Sequence, residues 1–310
     1  MNAQIKERPF TVTVGITAYN EEANIAYLID SIVSQNQTNF NLKKIVVISD
    51  GSTDETGAIV HCIAQNNPLV RLVNYVARKG KAARLNELYA RNESDIFIQF
   101  DADILLSDNN VISRMVEPFL QSDVISVAGY NKPLSGKSFF EKVTNATDLL
   151  WHEITKDYNN GDNIYSGSGC ATALRRCFTA SFRFPFGTIA DQQELYFGVK
   201  KMNGRFHYAI DAVVYYRSPG NVKDFIVQAT RALTEKSHIK SDYNCDRASY
   251  YFIPMTKKMR GIISAIAKDP FYTVCAIVLQ VFLRIRAEQV ISFDSQGLWK
   301  MVSSTKNLKK

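Results

Sequence analysis

The first hundred residues alternate short β-branched runs with longer segments of helical periodicity, and the apolar runs end in polar clusters. Phe10–Ala18 (FTVTVGITA), Lys44–Ser49 (KIVVIS), Val70–Tyr75 and Asp95–Phe100 (DIFIQF) read as strands. Segments 22–34, 56–66 and 81–92 carry apolar residues at helical spacing. Such alternation predicts an α/β fold, a mixed and mainly parallel sheet with helices on both faces. Sheets of this kind bind ligands beyond the carboxyl ends of their strands. Tyr19-Asn20-Glu21-Glu22, Asp50-Gly51-Ser52-Thr53-Asp54 and Asp101-Ala102-Asp103 lie there.

Residues 130–220 are less regular. They contain a glycine-rich turn (166–176), a helix near 190–203 and a strand from Phe206 to Arg217. With no repeat and no low-complexity linker, the chain reads as a catalytic domain over residues 1–240 and a basic, amphipathic C-terminal region over 241–310. At 46% hydrophobic and 22% charged residues, 310 residues exclude a disordered or collagen-like chain. Five cysteines without framework spacing predict reduced thiols, and the polar N-terminus predicts no signal peptide. The expected location is therefore cytoplasmic.

The net charge of +7 is unevenly spread. Residues 1–220 hold 22 Lys and Arg against 23 Asp and Glu, whereas 221–310 hold 15 against 7. The excess points to an anionic partner for the last third, although a solvated basic surface has the same composition. That third also carries an apolar run, Phe271–Leu283, which Pro270 would open as a helix. Thirteen residues fall short of the ~20 that span a bilayer. Upstream, Tyr250, Tyr251, Phe252 and Ile253 mix with Lys257, Lys258 and Arg260. Apolar residues beside Lys and Arg predict a segment lying in a membrane interface, peripheral at the inner face; an ordinary amphipathic core helix is the competing reading.

Asp101 and Asp103 directly follow a strand. Hard divalent cations, Mn²⁺ or Mg²⁺, take oxygen ligands of this kind, and Mg²⁺ commonly pairs one or two carboxylates with substrate phosphates. Asp50 is placed to accept hydrogen bonds from a base or ribose, while its Ser/Thr/Asp neighbours also suit helix capping. Arg78-Lys79-Gly80-Lys81 precedes a helix whose amides and lysines can face phosphates.

The stretches VTVGITAYNEEANIAYLIDSI, KIVVISDGSTDET, RKGKAARLN, FIQFDAD, YSGSGCATALRR, ADQQELYFGVKKMNGRFHYAIDAVVYYRSP and VQATR, in this order over residues 10–235, resemble a family 2 glycosyltransferase of the GT-A fold. The resemblance implies an inverting enzyme with a nucleotide-sugar donor, expected to be a UDP-sugar. It implies that Thr17, Tyr19 and Glu21 border the nucleotide, that Asp50 contacts the base, and that Lys81 sits beside nucleotide or phosphates. Asp101 and Ala102 would lie along the donor and Asp103 would be the main metal ligand, with Asp101 near the metal. Ser168 and Gly169 would face the acceptor, and Gln228 and Arg231 would match the Gln-x-x-Arg part of a longer motif, with Arg231 as a fork for the diphosphate.

Two positions depart from the family pattern. Anchoring on Leu195 puts Gln192 where the catalytic carboxylate usually falls, so Asp191 is taken as the general base and Glu194 as the reserve. Ala232 stands where processive members carry Trp, which argues against polymer synthesis. His207 is a candidate to complete the metal shell; His152 and His238 read as structural. The expected acceptor is a lipid or polyprenyl-linked glycan. Two alternatives are a nucleotidyltransferase, against which stands the lack of an N-terminal glycine-rich phosphate loop, and a basic nucleic-acid-binding protein, for which no motif speaks. No nucleic-acid partner is expected.

Overall fold

The computed structural model describes residues 8–167, 169–234, 247–286, 302–306 and 308. Strands β1 (Phe10–Ala18), β2 (Phe40–Asp50), β3 (Val70–Tyr75) and β4 (Ile96–Asp101) form where the β-branched runs lie. Between them stand α1 (Ile25–Val33), α2 (Thr56–Asn66) and α3 (Lys81–Ala90). In α1, Ile25, Leu28, Ile29 and Ile32 fall at helical spacing, and all four are fully buried on the sheet.

The second half adds β5 (Leu105–Leu106), α4 (Val111–Val116), β6 (Val124–Pro133), α5 (Phe139–Thr155), β7 (Ala171–Arg175), α6 (Arg176–Ser181), α7 (Asp191–Lys201) and β8 (Arg205–Tyr216). The eight strands form one sheet in the order β3-β2-β1-β4-β7-β6-β8-β5. β1 to β4 pair in parallel, β7 runs antiparallel between β4 and β6, and β8 is parallel to β6. This is the mixed, mainly parallel sheet expected. The turn expected over 166–176 holds a strand, β7, in its second half. Its Ala171, Thr172, Ala173 and Leu174 are buried on both faces, so no two-residue alternation marked it.

Strand order reverses between β1 and β4, the switch point at which such sheets open a crevice. The register places Thr17 of β1 opposite Asp101 of β4 and Ile48 of β2. The chemically interesting loops therefore emerge side by side.

Beyond β8 come α8 (Val222–Thr234), α9 (Arg247–Tyr251), α10 (Met255–Lys268) and α11 (Pro270–Arg286). Helix α10 packs closely on α5: a Cβ on Gly261 would lie 2.5 Å from the Ile154 Cα. Glu153 of α5, its side chain almost fully buried, accepts from Lys268 Nζ at 2.6 Å, Ser264 Oγ at 2.6 Å and Lys156 Nζ at 2.9 Å. Helix α11 lies on α5 and α10, with Thr273 and Ala276 turned inward. The fully buried residues of both helices are small, with Ile262 and Ile277 packed half-buried beside them, and further large apolar residues are left outside. Met255, Met259 and Ile263 on α10, and Phe271, Val274, Val278, Val281 and Phe282 on α11, are all exposed. Among the described residues no helix is long and apolar enough to cross a membrane.

Burial alone would raise the Glu153 carboxyl, but its bonds from Lys268, Ser264 and Lys156 outweigh this and hold it at about 2. A depressed carboxyl stabilises the fold above its unfolded pKa and loses that contribution as pH falls through the folded value. The docking of α10 on α5 should accordingly weaken between about pH 4.5 and 2. Thermal unfolding of wild type and Glu153→Gln checks this: the variant is expected to be less stable at neutral pH and to lose less of its stability across that window.

Candidate active site

The loops after β1 and β2 are locked to each other by polar side chains. Asn20, at φ +55°, accepts from the Thr53 N–H at 2.8 Å and its own N–H donates to Ser52 Oγ at 3.1 Å. The Glu21 N–H donates to Thr56 Oγ1 at 2.7 Å, and the Glu55 N–H to Glu22 Oε2 at 3.0 Å. Gly51, at φ +74°, lets the loop 76–78 cross it; a Cβ there would meet Arg78 N at 2.9 Å. Arg78 returns over the Tyr19 ring, 4.0 Å from its centroid.

Asp50 ends β2 and is buried. Its carboxylate accepts from the Lys79 N–H at 2.8 Å, the Gly80 N–H at 2.7 Å and Arg84 Nε at 2.6 Å. Arg84 is fully buried too. It donates to Glu87 Oε1 at 2.7 Å and the Ala77 carbonyl at 2.8 Å, and lies 3.6 Å from the Tyr75 ring centroid. Tyr75 donates to Glu87 Oε2 at 2.6 Å. Burial works against the charge of Glu87, but the bonds from Tyr75 and Arg84 prevail and hold its carboxyl below the usual range. Asp50 thereby fixes the start of α3 and with it the direction of Lys81.

Lys81 is the first residue of α3, and Gly80 at φ +89° precedes it. Its ammonium lies 2.7 Å from Asp101 Oδ1 and 3.2 Å from Asp191 Oδ2. Asp101 ends β4, and its N–H is tied to the Cys170 carbonyl at 2.9 Å. Asp191 opens α7 and is buried. Burial raises the Asp101 carboxyl; Lys81 opposes this, and Asp103 and Asp191 reinforce it. Three segments far apart in the chain thus meet at one ammonium.

Beside this group, Glu21 and Asp103 share the ammonium of Lys306, which lies 3.4 Å from Asp103 Oδ2 and in direct contact with Glu21 Oε1. Burial, reinforced by Asp103 and opposed by Lys306, pushes the Glu21 carboxyl up to about 7. The donor set suits a hard cation, since two carboxylates already converge on a positive charge. Among the described residues no three His, Cys, Asp or Glu side chains converge on one point.

The other expected site residues are placed as follows. Ala102 is buried between the two aspartates, and Thr17 and Tyr19 are half-buried at the rim. Gly169, at φ +84°, packs against Gln192: a Cβ would meet Gln192 Nε2 at 2.8 Å. Glu194 is fully buried and offers an acceptor no surface. Gln228 is exposed on α8; Ser168 and the side chain of Arg231 fall outside the described residues, as do His238 and Ala232's side chain. The structure does not bring His207 to the acidic cleft. It pairs with Val127, which is level with Ile98, three residues before Asp101 in β4. The charged groups it senses are Arg205 and Asp211. Cys170 has its thiol raised well above the usual range by burial, as suits a packing residue.

Sequence reasoning missed Arg84, Glu87, Asn24 and Lys306. The i, i+3 spacing of Lys81, Arg84 and Glu87 was a readable signal for the first two, because it puts them on one helix face. It also missed a cavity of about 260 Å³ beside the start of α3, lined by Lys79, Asn86, Phe184, Phe186 and Thr188.

Residues 13–180, more than half of the chain, match the pattern of the family described as Glycosyl transferase family 2. A poly-β-1,6-N-acetyl-D-glucosamine synthase of Staphylococcus aureus (strain COL) is 26% identical over 127 residues, 41% of this chain and 30% of that protein. Its counterpart in Staphylococcus epidermidis is 25% identical over 148 residues, covering 43% of this chain and 35% of that protein. The chain thus matches about a third of the length of these relatives. A solved mannosyltransferase from Pyrobaculum calidifontis, in complex with GDP-Man and Mn²⁺, superposes with a TM-score of 0.59 at 20% identity, covering 92% of this chain and 77% of that one. The likeness supports the GT-A fold.

The buried ion cluster sets a stability expectation. Arg84→Met leaves Asp50 and Glu87 without their cation and should cost about 3–5 kcal/mol in urea denaturation. Arg84→Lys should recover little of this, because one ammonium cannot reproduce the forked donors.

Proposed function

The chain belongs to glycosyltransferase family 2, and from that premise we propose that it transfers a sugar from a nucleotide-sugar donor, a UDP-sugar, to a hydroxyl of a lipid or lipid-linked glycan, with inversion at the anomeric carbon. The observation that carries the proposal is the meeting of Lys81, Asp101 and Asp191 at the switch point, with Asp103 two residues on and paired, like Glu21, with Lys306.

In this reading Tyr19 and Asp50 border the nucleotide, Asp50 chiefly by fixing the loop 79–81 that its carboxylate holds. Thr17 and Ala102 are assigned to the donor side, and Gln228 and Arg231, both on α8, to the same ligand, Arg231 as a fork for its diphosphate. A divalent cation, Mn²⁺ or Mg²⁺, held by Asp103 with Asp101 beside it would neutralise charge on the departing diphosphate. Lys81 is shared between Asp101 and Asp191, so an arriving diphosphate competes for the same ammonium. Asp191 is then left to take the proton from the acceptor hydroxyl as it attacks. Ser168 and Gly169 flank the acceptor side, where Gly169 lets Gln192 approach. Glu194, buried, positions the first turn of α7.

The outer faces of α10 and α11 support a membrane-apposed acceptor. Amphipathic helices normally turn their polar side to water, yet here eight large apolar residues of α10 and α11 are exposed. Lys257, Lys258 and Arg260 accompany them, a combination suited to an anionic lipid interface, which for this chain is the cytoplasmic face of a membrane.

Two experiments test these statements. In a nucleotide-sugar panel with Mn²⁺ or Mg²⁺, scored for nucleoside diphosphate release, Asp103→Asn should lower turnover by about a hundredfold or more. Asp191→Asn should retain donor binding and lose transfer; an active Asp191→Asn beside an inactive Glu194→Gln would reassign the base. In liposome flotation, the protein should float with phosphatidylglycerol-containing vesicles, and replacing Met259, Ile263 and Val278 together by Ser should release it. A wild-type protein indifferent to such vesicles would remove the membrane assignment.

A further inference from the structure

Lys306 stands 285 positions from Glu21 in the chain, yet it is seated in the cleft that the mechanism uses. The segment around it is fastened at points that do not involve its ammonium. The Ser304 N–H donates to Asp224 Oδ2 at 3.0 Å, and the Gly220 N–H donates to Ser304 Oγ at 3.2 Å. The Lys306 carbonyl accepts from Asn24 Nδ2 at 2.5 Å, and Leu308 is buried, with its N–H 3.4 Å from Asn24 Oδ1. The described residues 302–306 and 308 are thus fastened to the start of α8 through Ser304 and to the N-cap of α1 through Lys306 and Leu308.

Charge explains why a lysine lies there. Glu21, Asp101, Asp103 and Asp191 bring four carboxylates to the cleft, against which the described residues in contact with them set Lys81 and Lys306. An approaching nucleoside diphosphate adds further negative charge beside Asp103. The tether through Asn24 and Leu308 holds the lysine's backbone in place, and Glu21 remains a partner for its ammonium when Asp103 turns to other ligands.

We infer that Lys306 is a binding residue for the donor's diphosphate, supplied by the segment 302–306, which is anchored at Asp224 and at Asn24. The inference rests on the donor reading above. Lys306 meets the phosphates from the side of β1 and α1, so that with Lys81 the leaving group is gripped by two ammonium groups from distant parts of the chain.

Calorimetric titration of the full-length protein with UDP and with GDP tests this without a known acceptor. With Mg²⁺ present, Lys306→Ala should weaken binding of the preferred nucleotide about ten- to a hundredfold, the range for a hydrogen bond to a charged group. Lys306→Arg should stay near wild type. The loss should persist in EDTA, which separates contact with the phosphates from an effect on the metal. Leu308→Ala keeps the ammonium while loosening its tether, should give a smaller loss, and serves if Lys306→Ala does not fold. Unchanged affinity in both variants overturns the inference. Tighter binding on removing Lys306 does so as well, because it makes the lysine a plug that the donor must displace. Failure of wild type to bind either nucleotide overturns the donor reading together with the role of Lys306.

Discussion

Like-charge crowding at the carboxyl ends of the strands governs this molecule. A parallel arrangement of β1, β2 and β4 brings every loop that follows them to one edge, and this chain loads those loops with carboxylates. Burial raises the carboxyls of Glu21 and Asp101, and the neighbouring carboxylate of Asp103 adds to the effect in both. The fold answers with three cations of different character. Arg84 is fixed and fully buried, with its donors divided among Asp50, Glu87 and a backbone carbonyl. Lys81 and Lys306 are single ammonium groups on flexible stems, each shared between two carboxylates. A fork committed to several partners suits a structural joint, and a point charge that can change partners suits a site where an anionic ligand comes and goes.

The second half of the chain provides the other wall. β7 reverses direction beside β4, so the segment before it passes the cleft and its Cys170 carbonyl pins Asp101. α7 delivers Asp191, and α8 starts where the segment 302–306 is fastened through Asp224. The C-terminal helices are not an appendage. Glu153 binds α10 to α5, and the close approach at Gly261 sets their spacing. This docking turns the apolar stripes of α10 and α11 outward, on the same body that carries the cleft.

The alternation in the first hundred residues was legible because strands there are β-branched and the helices keep a clean apolar stripe. Asp50, Lys81, Asp101 and Asp103 were legible for the same reason, since each lies within a residue or two of an element boundary. β7 was hidden by its small residues and its burial on both faces. His207 drew notice as a polar residue in a strand near the expected base, but register places it below the cleft. Arg84 sat among helix formers, where an arginine usually faces water, and only its neighbours Asp50 and Glu87 make burial tolerable.

The sequence by itself determined the strand-and-helix order, and hence that acidic loops would gather at one edge of a sheet, because periodicity and turn residues act over a few positions. Tertiary structure alone decided which charges meet. Lys81 reaches Asp191 across 110 positions, and Lys306 reaches Glu21 across 285. No local pattern encodes such pairings, because they depend on strand register, on the placement of α7, and on the anchoring of residues 304–306 at Asp224 and Asn24.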